Sequence, residues 1–429
     1  MARDLSVYVH LPFCLRKCHY CDFNSRPAAE SERARYLAAL KLEIQRRAEL
    51  LGASHIRTIF LGGGTPTIYH GEELAGLLEM LKDTAASPPP APRMPETGGS
   101  AGVRTTNGMG RGGTSRFAGP SPVPPSGREL DRAAPPTAAP RTEVTCEANP
   151  ETVDVAKLRV LREAGFNRLS VGAQSFDDDE LRMLGRGHSA EQTALAVAAA
   201  REAGFTNLSL DLIYALPGQT LNSWRQTLLR ALELQPDHLS AYGLEICEGT
   251  PFHARLQAGE IAPVEEAEHL AMRQVTRELC EAAGLDRYEI SNYARPGFEC
   301  AHNITYWRNE EYLGLGAGAW SYLDGVRSGN MREPREYRAA IEAGESPEEY
   351  AEELAPEDAL AEALMMGLRM TEGLLLHDLA QAYGAESIEA LLQRARPLVE
   401  MALVEVGAGR IRLTEAGEEL HSEVVMRLT

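Results

Sequence analysis

The chain has 429 residues, a formal charge of −19 and seven cysteines. The acidic balance argues against nucleic acid or an anionic membrane surface as a general partner. An odd, scattered set of cysteines argues against a disulfide framework. No apolar run approaches the roughly 20 residues that span a bilayer, and "MARDLSVYVHLPF" lacks the charged start and long apolar core of a signal peptide. These features describe a reduced, cytoplasmic protein long enough to bury a substantial core.

In chain order, the first strand-like run is "LSVYVHLPF", followed at once by "CLRKCHYC" with Cys14, Cys18 and Cys21. A helical run, "ERARYLAALKLEIQRRAELL", leads to the strand "IRTIFLGGG" with Gly62, Gly63, Gly64 and Thr65 at its end. The helix "GEELAGLLEMLKDT" then runs into residues 88–140. That stretch holds 12 of the 25 prolines and 9 of the 38 glycines, with almost no Leu, Ile or Val. It cannot bury enough apolar area to offset its ordering entropy, so a disordered insertion is expected there. Four further strands, "EVTCEAN", "NRLSVGAQ", "NLSLDLIYALP" and "DHLSAYGLEI", alternate with helical runs, two of which stop at "EAGF". Alternating strands and helices build right-handed βαβ units on a parallel sheet. Six units in this length of chain predict an α/β fold, a curved partial (β/α)6 barrel over 1–87 and 141–309 rather than a closed eight-unit barrel. Residues 310–354 read as a linker near the active rim, with a glycine turn in "EEYLGLGAGAWSY". From about 355 the pattern changes to amphipathic helices, a short strand pair and a Thr-capped helix, a small helical, winged-helix-like C-terminal domain over 355–429. Its acidic character favours packing against the barrel or a protein over binding DNA.

The polar oddities cluster at strand ends, where this architecture places function. Cys14, Cys18 and Cys21 follow the first strand and the glycine run follows the second. Glu147 ends the third, Gln174 follows the fourth and Asp211 lies in the fifth. Cys-x3-Cys-x2-Cys in a reduced compartment is a metal signal. Zinc wants four closed ligands, usually as two separated pairs, and a four-iron cluster usually takes four cysteines. Three thiolates leave one iron open to bind a small molecule through an amine and a carboxylate. Cys146, Cys247, Cys280 and Cys300 are scattered and read as small buried hydrophobes.

"CLRKCHYC" resembles the cluster motif of the radical S-adenosylmethionine (SAM) superfamily. "YVHLPFC", "GGGTPT", "GAQSF", "LGRGH" and "DLIYALPGQT" resemble the branch that contains oxygen-independent coproporphyrinogen III oxidase. The resemblance runs from about residue 5 to the C-terminus, interrupted by the insertion. It implies a partial (β/α)6 radical SAM barrel, a 4Fe–4S cluster on Cys14, Cys18 and Cys21, and bound SAM. Carried over position by position, it implies SAM contacts at Tyr8, Tyr20, Gly63, Gly64, Thr65, Glu147, Gln174, Arg186 and Asp211. Read without it, Arg186 is a solvated helix residue.

One departure is decisive for function. The oxidases extend the cluster motif by a further Cys two residues on, where this chain has Phe23, and they carry a long segment ahead of the cluster, whereas Cys14 stands near the start here. Both features, and "HNITYW" from His302 to Trp307, are similar to the heme-chaperone subgroup of the branch. The similarity implies heme binding around His302, Asn303, Tyr306 and Trp307, with Cys300 as a competing iron ligand. Taken alone, "HNITYW" reads as a buried His among core aromatics; chemically, the His could ligate iron while the rings cover a porphyrin. The expected function is therefore to receive heme and pass it to an acceptor hemoprotein, a respiratory one. Membrane contact would be peripheral, through the acceptor, and a homodimer is among the assemblies allowed. The alternatives are oxidative decarboxylation of coproporphyrinogen III and radical chemistry on another substrate.

Overall fold

The computed structural model describes residues 3–86 and 142–429; the insertion expected at 88–140 lies outside the described residues. Six strands, β1 (Arg3–Leu11), β2 (Ser54–Gly63), β3 (Glu143–Ala148), β4 (Arg168–Gln174), β5 (Leu208–Tyr214) and β6 (His238–Gly243), pair in that order and all parallel. They form the expected partial barrel. The helices that return the chain cover its outer face, beginning with α1 (Glu30–Arg46) and α2 (Gly71–Ala86).

Strand alternation sorts the residues of this barrel by chemistry. In β1, Leu5, Val7, Val9 and Leu11 are fully buried in the layer between sheet and helices, where they join Leu37, Leu40 and Ile44 of α1. Each such side chain contributes about 1.5–3 kcal/mol on burial. The intervening residues Ser6, Tyr8 and His10 face the inside. The inner rows of β3, β4 and β5 are as polar: Glu143, Thr145 and Glu147; Arg168 and Ser170; Ser209 and Asp211. The apolar core is therefore a shell outside the sheet, and the barrel lumen is a polar chamber. Both "EAGF" segments end helices as expected, with Gly165 at φ 108° and Gly204 at φ 92°, a conformation that costs glycine little.

Residues 310–354 differ from the expected linker. Strand β7 (Tyr312–Leu315) pairs parallel with the outer edge of β1, from Ser6↔Tyr312 to Val9↔Leu315. Strands β8 (Trp320–Leu323), β9 (Val326–Asn330) and β10 (Glu348–Glu353) then continue the sheet antiparallel. The glycines that made this stretch read as a turn serve close packing: a Cβ on Gly314 would lie 2.0 Å from the Trp320 carbonyl oxygen. Two short strands, Asp286–Arg287 and Asn292–Ala294, finish the opposite edge beside β6.

The C-terminal part is the expected helical domain with a strand wing. Helices Pro356–Gly367 and Ala385–Glu400 pack with a three-stranded sheet around a separate core that includes Leu364, Leu391, Ile411 and Val424. Thr414 caps the following helix by accepting a hydrogen bond from the Gly417 N–H at 3.1 Å. Among the described residues no helix is long and apolar enough to cross a membrane.

Candidate functional site

The three motif thiols stand on the loop that leaves β1, half-exposed at the rim where the parallel strands end. The glycine run of β2 fixes the root of this loop. The Gly64 N–H donates to the Leu11 carbonyl at 2.9 Å, and the Thr65 N–H to the Phe13 carbonyl at 2.8 Å. A Cβ on Gly64 would lie 2.5 Å from Phe13 O and 2.6 Å from Leu11 O. Glycine is needed here because the loop's own backbone passes so close. The loop is held from both flanks: Asn24 donates to the carbonyls of Arg332 (2.8 Å) and Ala317 (3.2 Å), and the Phe252 N–H donates to the His19 carbonyl (3.0 Å).

Each sulfur has a polar neighbour, and Ser25 serves both Cys14 and Cys21. Thr65 Oγ1 donates to Cys14 Sγ at 3.5 Å, Arg186 Nη1 donates to Cys18 Sγ at 3.5 Å, and Cys21 Sγ lies 3.9 Å from Ser25 Oγ. Burial pushes the Cys14 thiol up, while the Thr65 and Ser25 hydroxyls pull it down. Arg186 is half-buried and turned inward. It ties Cys18 to Asn149 Oδ1 (2.6 Å) and the Gly172 carbonyl (2.7 Å), and its Nε is buried with no partner. A left-handed Gly185 turns the chain after the short helix Asp178–Leu184 and aims Arg186 back at the rim.

Below the rim, Glu147 accepts from the Gly63 N–H at 3.1 Å. Burial, then the negative charge of Asp211, pushes the Glu147 carboxyl up to about 8. Asp211 accepts from Ser170 (3.0 and 3.1 Å) and Ser209 (3.2 Å), and burial raises it as well. Two carboxyls in one half-buried chamber do not both ionise cheaply, so they suit a cationic group. Gln174 ends β4 at φ 67°, a left-handed conformation unusual for a side-chain-bearing residue and frequent at ligand sites. Tyr8 lies one layer down, its hydroxyl 3.0 Å from His10 Nδ1, and Tyr20 packs against the small apolar cluster that includes Leu184 and Phe252.

The heme-region motif lies elsewhere. Residues Ala301–Trp307 form a short helix, α3, that plugs the barrel floor at the other end of the strands. Glu143 receives the backbone N–H groups of Ala301 and His302, both at 3.1 Å. His302 is buried, with Nδ1 2.7 Å from Thr58 Oγ1 and Nε2 2.9 Å from the Tyr306 hydroxyl, and its ring stacks on Phe60 at 5.0 Å. Burial, then the charge of Arg168, lowers it to about 3. In this geometry both ring nitrogens of His302 are engaged within the protein. Cys300 is fully buried, its thiol pushed up to about 12 by burial. Asn303, Tyr306 and Trp307 are partly buried, and Trp307 faces the C-terminal domain.

Sequence reading missed Asn149, which bridges Arg186 and Thr65 Oγ1 (3.0 Å), and Ser170 and Ser209, which hold Asp211. Period-2 alternation could have found the serines; nothing local marked Asn149. Cys146, Cys280 and Cys300 are buried as expected, but Cys247 is half-exposed and lies within electrostatic reach of Cys21 and Asp22.

Among the described residues, no three His, Cys, Asp or Glu side chains converge to hold a single metal ion. Three half-exposed thiols on one loop instead suit a cluster in which each sulfur meets a different iron. The comparison with family models agrees: a model described as the radical SAM superfamily matches residues 8–231, more than half of the chain. The chain belongs to the radical SAM superfamily. Membership implies a 4Fe–4S cluster and SAM. The HemN C-terminal domain model matches residues 354–420. The chain is 33% identical to the heme chaperone HemW of Bacillus subtilis, over 98% of this chain and 97% of the relative. It is 31% identical to that of Mycobacterium tuberculosis over 99% and 95%, and 32% identical to that of Escherichia coli over 81% of each. Its fold is similar to coproporphyrinogen III oxidase (HemN) from Escherichia coli, with a TM-score of 0.76 and 25% identity over 99% of this chain and 90% of that one.

Proposed function

We propose that this chain is a heme chaperone, which binds heme and hands it to an acceptor hemoprotein while carrying a 4Fe–4S cluster and SAM. The observation that carries the reading is its near-end-to-end similarity to proteins named heme chaperone HemW, joined to Phe23 where the oxidase motif has cysteine. Phe23 is 64% exposed beside the cluster loop. Cys14, Cys18 and Cys21 are the proposed cluster ligands. Glu147 and Asp211 would hold the ammonium of SAM, whose approach favours their ionised forms. Gly63, Gly64 and Thr65 would line the backbone side, and Tyr8, Tyr20, Gln174 and Arg186 would close the polar wall. When bound together, cluster and SAM supply one-electron chemistry at a sulfonium. Heme contact in the 302–307 region is proposed through its outward residues, Asn303 and Trp307, with His302 and Tyr306 bracing the helix from inside. A respiratory acceptor, a cytoplasmic location and a homodimer complete the proposal.

The likeness to the oxidase fold keeps decarboxylation of coproporphyrinogen III as a second reading. One anaerobic experiment separates the two. Reconstituted protein is given hemin in one arm, and coproporphyrinogen III with SAM and a reductant in the other. A heme spectrum without porphyrinogen turnover is expected; steady turnover would overturn the chaperone reading.

A further inference from the structure

The C-terminal domain shares little apolar core with the barrel. One small cluster joins them: Tyr288 with Met370, flanked by Ile304 and Trp307. Much of the rest of the contact is ionic, and most of its pairs share one polarity; Arg369 with Glu289, at 3.4 Å, is the exception. Glu418 accepts from Arg273 at 2.8 Å and from both terminal nitrogens of Arg287; Glu372 pairs with Arg308 at 3.1 Å and Glu362 with Arg327. In the pairs made by Glu418, Glu372 and Glu362 the arginine belongs to the barrel side and the glutamate to the C-terminal domain. An otherwise acidic protein thus presents a row of arginines at this face and covers it with its own carboxylates. Arg287 adjoins α3 through Tyr288, the next residue, whose apolar cluster Trp307 packs against.

The cover is imperfectly satisfied. Trp307 Nε1, Arg327 Nε, Arg369 Nε and His421 Nε2 are all buried without a partner, and they lie along this interface: Arg369 stands 4.5 Å from the Trp307 ring centroid, with His421 beside it. Four of the thirteen such atoms among the described residues fall in this one contact, and a second occupant would give them partners. The crevice between Arg273, Arg287, Tyr293 and Glu418 holds only about 40 Å³, so anything larger than a water or two must displace the domain.

We propose that the arginine row and Trp307 form the binding surface for a flat apolar ring bearing carboxylates, the chemical class of heme, and that the C-terminal domain covers it until the ligand competes. This rests on the heme-chaperone reading. Arginine forks match carboxylates two-pronged, and the Trp307 ring supplies an apolar face. The glutamates of the domain act as an internal stand-in for the ligand's carboxylates. The Thr371 N–H, donating to the Tyr288 carbonyl at 3.1 Å, is the point about which the cover would swing.

The test titrates the full reconstituted chain with hemin and with hemin dimethyl ester, and follows amide hydrogen exchange. Glu372→Gln/Glu418→Gln loosens the cover and raises the open fraction, so hemin should bind about three- to tenfold more tightly than to wild type. Hemin should slow exchange in 301–308 and alter it in 362–372. The ester, lacking free carboxylates, should bind at least about tenfold more weakly than hemin. Wild type that binds hemin and its ester equally, or binds hemin with protection confined to other segments, overturns the cover and leaves the chaperone reading standing. Should the double variant fail to fold, the ester comparison and the exchange map on wild type still decide. A wild type that binds no hemin removes the chaperone reading and this inference together.

Discussion

The cysteine loop and the floor helix α3 carry the two densest motifs in the chain, and their chemistry in the fold is opposite. On the loop, each sulfur is half-exposed, with polar contacts of 3.5–3.9 Å. In α3, His302 has a short partner on each ring nitrogen, Thr305 Oγ1 shares a 2.8 Å bond with Ser6, and Glu143 closes the first turn. Polar groups satisfied by the protein itself serve the fold; groups held in place but weakly engaged are available to a ligand. Motif density in the sequence does not separate these cases, but hydrogen-bond completeness in the structure does.

The harshest test of this contrast removes one group from each region. Cys14→Ala, Cys18→Ala or Cys21→Ala should each cut iron from about four per chain to near zero, with loss of the broad band near about 400 nm. Cys247→Ala, outside the motif yet near Cys21, should keep the iron. His302→Ala should do the reverse. It leaves the Thr58 and Tyr306 hydroxyls short of a partner and opens a cavity against Phe60, a loss of about 2–4 kcal/mol in denaturant unfolding. Cluster content and the heme spectrum should be unchanged. A stable His302→Ala protein with an altered heme band would invert the comparison.

The parallel barrel was legible because β1 to β6 alternate with amphipathic helices and end in polar or glycine residues, features that follow from local periodicity. Residues 310–354 were not legible as sheet. The pairing of β7 with β1 joins residues about 300 apart, and Gly314 and Gly316 hid a strand behind turn composition. Arg186 looked solvated because only the left-handed Gly185 turns it inward. His302 read alone as a buried core histidine, which it is, but a sequence does not reveal that Thr58 and Tyr306 are the partners of its nitrogens.

A milder pair of substitutions tests the rim root against an open position on the same connection. Gly64→Ala places a methyl within 2.7 Å of three backbone atoms, Phe13 O, Leu11 O and Phe13 N. The loop must move, so a loss of about 1–3 kcal/mol is expected, with less iron retained on dilution. Gly76→Ala, in α2, meets nothing within 4 Å. It should stabilise by about 0.5–1 kcal/mol through helix propensity alone and leave the iron untouched. Equal effects at the two sites would mean that the glycine run does not hold the loop.

The smallest effect separates the two regions by pH. Glu147 titrates at about 8 in the folded chain against an ordinary 4.5, so between those values the folded state holds a proton that the unfolded state has released. Stability from this group is full below 4.5 and is lost as pH rises toward 8. His302 is the mirror case, about 3 when folded against 6.5. Its share is full above 6.5 and is lost as pH falls toward 3. Denaturant unfolding of the cluster-free protein should therefore show an alkaline limb belonging to the chamber beneath the rim and an acid limb belonging to the floor. Glu147→Gln should flatten the first, measured between pH 6.5 and 8, where His302 no longer contributes. His302→Gln should flatten the second below 6.5. Because Asp211 is raised alongside Glu147, the alkaline limb belongs to the pair, and Asp211→Asn should also shrink it. If Glu147→Gln instead leaves the slope between pH 6.5 and 8 as it is in wild type, the carboxyls are already ionised in the chamber, and the case for a cation-seeking pocket beneath the cysteine loop fails.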